Sequence, residues 1–299
     1  MISVVICSVK EELAKQVQLN IENTIGTEWE PIVIDNTINQ ESLAHVYNLG
    51  ASMARCNLIC FVHEDVLFQT QDWGLKLVEY FKEEKLGLLG VAGSKYKSRT
   101  ASGWYTGVPE FDCCNIWHLD RTNKLEKIRF NPMPESPVQE VVSLDGVFMV
   151  TRKSVWNEVR FNEELLRDFH LYDLDFSVRI SERYKVMVTF EVEIIHIVKG
   201  RHFGDKWLES TLVWHSYNNS RLPAAIEGIN CVHEYYERKV RRTWLVRLKH
   251  EDIRFFNRIK WLIAIKIWKH VFDWPYVLLF LFKRSKNGLT AENGRVKSK

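Results

Sequence analysis

Four short apolar runs constrain the fold of this chain more than any other feature: residues 2–7, 31–34, 58–62 and 88–92. Each is too short for a buried helix and rich in Val, Ile and Leu, the pattern of a strand covered on both faces. The stretches between them carry helical character. Leu13, Val17 and Ile21 mark one face over residues 11–25, and further helices are predicted over 41–55 and 73–85. Strands alternating with helices predict an α/β fold with a mostly parallel sheet, since a parallel crossover is normally a helix that packs on the sheet. With 299 residues, 46% of them apolar, the chain can build one large domain or a domain with an appendage.

Ligands of open α/β sheets gather outside the carboxyl ends of the strands, so the residues that follow each run matter most. The first run ends at Ser8 and the second at Asp35 and Asn36. The third ends abruptly in His63, Glu64 and Asp65. Continued strand geometry sends His63 and Asp65 to one side and Glu64 to the other. A lone carboxylate in such a place is commonly a turn former or helix cap, but three such side chains in succession point to a site. A second cluster, His170-Leu-Tyr-Asp173-Leu-Asp175, lies within residues 161–183, and His196 is followed by Lys199, Gly200, Arg201 and His202. Metal sites draw hard ligands from separate segments, and imidazole with carboxylate suits Mn²⁺, Fe²⁺ or Zn²⁺, whereas Mg²⁺ prefers oxygen alone. Phosphate-binding loops are missing. Residues 87–93 do not match the dinucleotide fingerprint and no Walker sequence is present. A phosphorylated ligand would therefore need a cation to screen its charge.

The regular alternation fades over residues 95–137, where Gly103, Gly107, Pro109, Pro132, Pro134 and Pro137 punctuate the chain around Trp104, Tyr105 and Trp117. A long irregular segment is expected there, of the kind used as a lid or binding loop. Strand character returns over 141–150, broken by Asp145-Gly146, and over 186–198. From about residue 206 the composition shifts to Arg, Lys and Trp, so we divide the chain into residues 1–205 and a helical region, 206–299. Within the latter, 254–272 has an amphipathic, basic pattern carrying Arg258, Lys260, Lys266 and Lys269. Such a helix lies on an anionic membrane surface or packs its apolar face on the rest of the protein. Residues 276–282 are apolar, set off by Pro275, and the last dozen are polar and expected to be disordered.

A net charge of +3 gives no ground for a nucleic-acid partner. Six cysteines (Cys7, Cys56, Cys60, Cys113, Cys114, Cys231) show no paired zinc spacing, and Cys7 and Cys60 sit in apolar runs, which fits a reduced, cytoplasmic setting. No leader-like segment is recognised and no stretch supplies roughly 18 uninterrupted apolar residues for a spanning helix.

Several stretches together resemble the family-2-like glycosyltransferases of GT-A (Rossmann-like) fold, nearest the branch named after a streptomycin-biosynthesis protein. They are strand one, the Ile-Asp35-Asn36-Thr turn, Tyr47-Asn48-Leu-Gly50-Ala51, Phe61-Val-His-Glu-Asp65, Gly90-Val-Ala-Gly93-Ser94, Leu144-Asp-Gly-Val-Phe148 with Arg152, and His170-Leu-Tyr-Asp-Leu-Asp-Phe176. The resemblance covers about residues 1 to 205 and implies transfer of a sugar from a nucleotide-sugar donor to an acceptor hydroxyl. It implies a divalent metal, Mn²⁺ or Mg²⁺, at a D-x-D segment whose second aspartate falls on Asp65 and whose first is replaced by His63. Ser8, Asp35 and Asn36 take the nucleotide end, Glu64 the ribose, and His196 matches a late histidine that reaches the metal in some relatives. Asp173 falls on the catalytic base and Tyr172 on the carboxylate that usually precedes it. Asp175 caps its helix or orients Asp173. Trp104, Tyr105 and Asp145 are candidates for an acceptor that is a glycan or a lipid-linked glycan, and Lys199 and Arg201 for the diphosphate. Two other classes fit parts of the pattern. A non-haem iron oxygenase would use His63, Asp65 and His196 as its triad, and a non-catalytic sugar-nucleotide binder or membrane-surface assembly protein would keep the fold without turnover.

Overall fold

The structure is a computed structural model that describes residues 1–131, 136–197, 203–229 and 234–282. The chain opens with β1 (Ile2–Ser8), α1 (Glu11–Thr24), β2 (Trp29–Asp35), α2 (Leu43–Met53) and β3 (Leu58–His63). A short β4 (Val66–Phe68) and α3 (Trp73–Tyr80) lead into β5 (Leu86–Gly90), β6 (Ala92–Ser94) and β7 (Tyr96–Lys97). Next come β8 (Asp112–Leu119), β9 (Leu125–Phe130), β10 (Val138–Val141), β11 (Ser143–Leu144) and β12 (Phe148–Arg152). Then follow α4 (Lys153–Glu158), α5 (Tyr172–Ser181), β13 (Lys185–Thr189) and β14 (Ile194–Ile197). The C-terminal part contains α6 (Asp205–Tyr217), β15 (Ala224–Ala225), α7 (Glu234–Leu248), α8 (Phe255–Ala264) and α9 (Trp274–Phe282).

A seven-stranded sheet in the order β10-β13-β5-β12-β3-β1-β2 forms the centre. β1 pairs in parallel with β2 and β3, and β13 with β5, while β12 and β10 run against their neighbours. Alternation along each strand separates two cores. Val5, Ile59, Phe61 and Val188 face α2, α4 and α5, whereas Val4, Ile6, Cys60 and Val62 face α1 and α3 through Val17, Ile21, Trp73 and Leu77. Each fully buried side chain of this size contributes about 1.5–3 kcal/mol, so the packing on both faces fixes the strand register.

A second sheet, β11-β6-β8-β14-β4 with β9 paired to β8, crosses the carboxyl ends of the first. It corrects the expectation of an irregular segment over 95–137. β8 and β9 form an antiparallel hairpin with His118 opposite Glu126 and Ile116 opposite Ile128. The strand signal is masked because β9 alternates charged and apolar residues along a largely solvated edge. Residues 98–111 remain the irregular stretch, tied down by Asp112, which accepts from Thr106 N (2.9 Å), Thr106 Oγ1 (2.8 Å) and Gly107 N (2.8 Å). Gly107 has φ +70, and a Cβ there would meet Thr243 of α7, so only glycine fits.

The C-terminal helices share the first core. Trp207, Trp214, Trp244 and Trp261 are buried in the same cluster as Phe61 and Val5. Two of them hold the irregular stretch directly, Trp244 Nε1 donating to Tyr105 O (2.9 Å) and Trp261 Nε1 to Ala101 O (2.8 Å). The amphipathic pattern expected over 254–272 becomes one helix, α8, followed by short 3-10 turns that begin where Lys266 adopts φ +52. Arg258 is not on a solvated face. It is buried and donates to the carbonyls of Ile253 (3.1 Å), Phe280 (2.5 Å) and Glu251 (2.8 Å), satisfying acceptors that the helix ends leave open. Among the described residues no helix is long and apolar enough to cross a membrane. Cys7, Cys56, Cys60, Cys113 and Cys114 are free thiols. Cys231, Pro132, Pro134 and the last dozen residues lie outside the described part of the chain.

Candidate active site

The two sheets bring the three predicted metal-binding side chains together. β14 pairs antiparallel with β4, which sets His196 opposite Val66, and Ile197 N donates to Asp65 O (2.9 Å). β3 delivers His63 at its carboxyl end. One ligand atom each from His63, Asp65 and His196 then lies within 4.8 Å of the others, with His196 Nε2 3.5 Å from Asp65 Oδ1. Burial acts to raise the Asp65 pKa, but the hydrogen bond to His196 and the charges of His196 and His63 hold it below the ordinary value. Two imidazoles and a carboxylate at this separation are a donor set that fits a divalent ion.

Glu64 turns the other way, as strand alternation requires, and accepts from Val9 N (3.1 Å) and Lys10 N (3.1 Å) at the start of α1. Ser8 is buried and stands opposite Asp35 across β1 and β2. Asp35 is exposed and accepts from Thr37 N (2.9 Å), and the Thr37 side chain, then this backbone contact, lower its pKa. Asn36 is buried and closes its own loop, donating to Glu41 O (3.0 Å) and accepting from Glu41 N (2.8 Å). Lys199, Gly200, Arg201 and His202 lie outside the described residues.

A cavity of about 990 Å³ opens beside this cluster, and His63, His196, Trp104, Tyr105, Asp145 and Asp173 all line it. Tyr172, also in its wall, shares a hydrogen bond with His63 Nε2 (2.7 Å). The two departures from the expected motif are thus partners. Where a carboxylate pair would stand, a histidine and a tyrosine hold one another, and burial keeps the Tyr172 hydroxyl protonated well above its ordinary range. A hydrogen bond to one ring nitrogen orients an imidazole and fixes its tautomer, which is how ligand histidines are usually held. Gly146 makes room for this contact, since a Cβ there would come within 2.1 Å of Tyr172 Oη.

Asp173 occupies the first turn of α5, with Oδ1 accepting from Leu174 N (2.8 Å) and Oδ2 from Gly146 N (2.8 Å). Burial, then the neighbouring charge of Asp145, pushes its pKa up to about 7. Asp145 in turn accepts from Val147 N (3.0 Å) and Trp104 Nε1 (2.7 Å). Asp175 is fully buried and pairs with Arg179 (2.7 Å) and Trp214 Nε1 (2.9 Å), anchoring α6. The far wall of the cavity comes from the C-terminal region, through Trp207, Arg242, Trp244, Arg247 and Tyr276. None of these stood out in the sequence. His118, opposite His196 across β8 and β14 with ring centroids 5.8 Å apart, was hidden in the segment expected to be irregular.

The fold is GT-A, a mixed α/β sheet flanked by helices, shared with solved glycosyltransferases. The profile of a glycosyltransferase-like family matches residues 3–217, more than half of the chain, and the chain belongs to that family. Two solved structures are similar at TM-score 0.50. One is the mannosyltransferase PcManGT from Pyrobaculum calidifontis, in complex with GDP-Man and Mn²⁺, at 12% identity over 93% of this chain and 85% of that one. The other is GalNAc-T7 with UDP, GalNAc and Mn²⁺, at 9% identity over 71% of this chain. This chain spans 47% of the GalNAc-T7 chain. No curated protein matches the sequence.

Proposed function

We propose that the chain transfers a sugar from a nucleotide-sugar donor to an acceptor hydroxyl, with a divalent metal and inversion at the anomeric carbon. One observation carries this reading: His63 and His196, which cluster with Asp65, line the same cavity as the raised-pKa carboxylate Asp173. His63, Asp65 and His196 would hold the metal, as Mn²⁺ or Mg²⁺, and when bound it would supply Lewis-acid neutralisation of the diphosphate leaving group. PcManGT and GalNAc-T7, both solved with Mn²⁺, support Mn²⁺ as the ion. Tyr172, through its hydrogen bond to His63 Nε2, would fix the orientation and tautomer of that ring. Ser8, Asp35 and Asn36 sit at the ends of β1 and β2, on the side where the nucleotide would lie, and Glu64 shapes that edge through the start of α1.

Asp173 acts as the general base. A carboxylate with a pKa near the working pH takes a proton from the acceptor hydroxyl efficiently as the new bond forms. Displacement by that hydroxyl in a single step inverts the anomeric configuration. Trp104 and Tyr105 present aromatic surface to the acceptor, and Asp145 holds Trp104 in place. We place the chain in glycan or polysaccharide assembly, in the streptomycin-biosynthesis-protein-type branch, at the cytoplasmic face of a membrane. The same donor set would suit a non-haem iron centre, but the family and the α/β sheet favour the transfer reading. The test is an assay of a donor panel with Mn²⁺, in which the wild type turns over at least one nucleotide sugar. Asp173→Asn should bind that donor and lose about 10²–10⁴ in rate. Unchanged turnover in Asp173→Asn would remove Asp173 from the mechanism, and a purified protein rich in iron would favour the oxygenase reading.

A further inference from the structure

A series of contacts runs along the cavity away from the metal-binding side chains. It passes from His63 to Tyr172 (2.7 Å), then through Asp173 to Gly146 (2.8 Å), and from Asp145 to Trp104 (2.7 Å). Trp104 meets Tyr105 edge-on at 5.8 Å, and Tyr105 meets Arg247 of α7, whose Cζ lies 4.9 Å from its ring centroid. Arg247 therefore stands on the same wall of the cavity as Tyr105, one of the residues expected to meet the acceptor.

Its surroundings are unusual for an arginine. The guanidinium also contacts the rings of Phe203 (4.9 Å) and Trp244 (5.2 Å), and it lines the cavity. Among the described residues it makes no hydrogen bond and no ion pair. The other guanidinium on this wall, Arg242, is matched by Asp273 at 2.6 Å. A guanidinium held by aromatic rings keeps its charge and its N–H donors in a fixed orientation, and the ligand such a fork fits is a carboxylate or phosphate. Glu251, Asp112 and Asp145 act on the Arg247 charge from a distance, but among the described residues no carboxylate is in ion-pair contact with it, and such a cation facing a cavity with aromatic walls suits a ligand with a sugar face and an anionic group.

We propose that Arg247 binds an anionic group, a carboxylate or a phosphate, on the acceptor, so that the acceptor is an acidic or phosphorylated glycan. The assignment rests on the transfer reading, which places the acceptor against this wall of the cavity. Tyr105, Phe203 and Trp244 position the guanidinium and flank the sugar ring that carries the anion.

Three probes test it on the full chain with Mn²⁺ and a nucleoside diphosphate present: methyl β-glucuronide, glucose 6-phosphate and neutral methyl β-glucoside. Binding is read by the fluorescence of the cavity tryptophans. At least one anionic probe should bind about tenfold tighter than the neutral one, and which one distinguishes carboxylate from phosphate. Arg247→Gln should erase that preference, Arg247→Lys should keep part of it, and both should melt within a few degrees of wild type and bind nucleoside diphosphate normally. Equal binding of the three probes by wild type, no binding of either anionic probe, or a preference that survives in Arg247→Gln would overturn the assignment. The two readings fail separately. Absence of Mn²⁺-dependent nucleotide binding sinks the transfer reading, whereas an anion preference indifferent to Arg247 sinks this one.

Discussion

Asp173 is a carboxylate removed from water, set next to a second carboxylate, and given two backbone N–H groups to satisfy. Burial and Asp145 outweigh the two hydrogen bonds, so its pKa rises to about 7 and does not fall. The sign of the pH dependence follows. Below its raised pKa the folded protein holds a proton on Asp173, which would block it as the proposed base, and above that pKa the carboxylate is free. We predict that kcat falls about tenfold for each pH unit below 7 and levels off above it, read as a pH–rate profile at saturating donor. A flat profile from pH 5.5 to 8 would exclude Asp173 as the titrating base. The same carboxyl binds more protons folded than unfolded between its ordinary value of 3.8 and about 7, so its contribution to stability declines as pH rises through that window.

Elements place these residues, and the turn between β11 and β12 does so most sharply. Asp145 and Gly146 form it, and Gly146 offers its N–H to Asp173 while leaving space for Tyr172 to reach His63. We expect Gly146→Ala to push Tyr172 off His63, costing about 1–3 kcal/mol of stability and lowering the affinity for Mn²⁺. Thermal melts with and without the ion measure both, and an unchanged Mn²⁺ shift in this variant would show that Tyr172 does not position His63. Legibility in the sequence also divides by element. β1, β3 and β5 are read from their apolar runs because they lie inside the sheet, where both faces are dry, and β2 keeps an apolar run although it is the edge strand and exposes alternate residues. β8 and β9 are not, since β9 is largely solvated, buried β8 carries Asp112, Asn115 and His118 among its apolar residues, and the flanking glycines and prolines break the pattern. His63, Asp65 and Asp173 could be named from strand and helix ends, but that Tyr172 bonds His63 across 109 positions is a fact of packing that no local pattern records. Arg247 was equally invisible, because beside Trp244 on its own helix its ring contacts come from Tyr105 and Phe203 in separate segments.

At the scale of the whole molecule the C-terminal helices have two faces with different tasks. The inner face joins the core and forms one wall of the cavity. The outer face leaves Phe255, Phe256, Ile263, Trp268, Phe272, Leu278 and Phe282 exposed. Lys260, Lys266 and Lys269 are exposed beside them. Exposed apolar side chains interspersed in sequence with lysines fit an anionic lipid surface, where each lysine adds about 1 kcal/mol. We predict that the protein sediments with vesicles containing phosphatidylglycerol, releases in high salt, and does not sediment once Phe256→Glu and Phe272→Glu are combined. Equal binding to purely zwitterionic vesicles would contradict a charge-assisted contact.

The claim on which the rest depends is that His63, Asp65 and His196 hold one metal ion beside the base. Calorimetric titration of a nucleoside diphosphate into the protein, with and without Mn²⁺, tests it most directly. The account predicts binding that needs Mn²⁺ in wild type, persists in Asp173→Asn, and weakens by about 100-fold or more in Asp65→Ala. Nucleotide binding that is the same with or without Mn²⁺, or an Asp65→Ala protein that binds as wild type does, would contradict it.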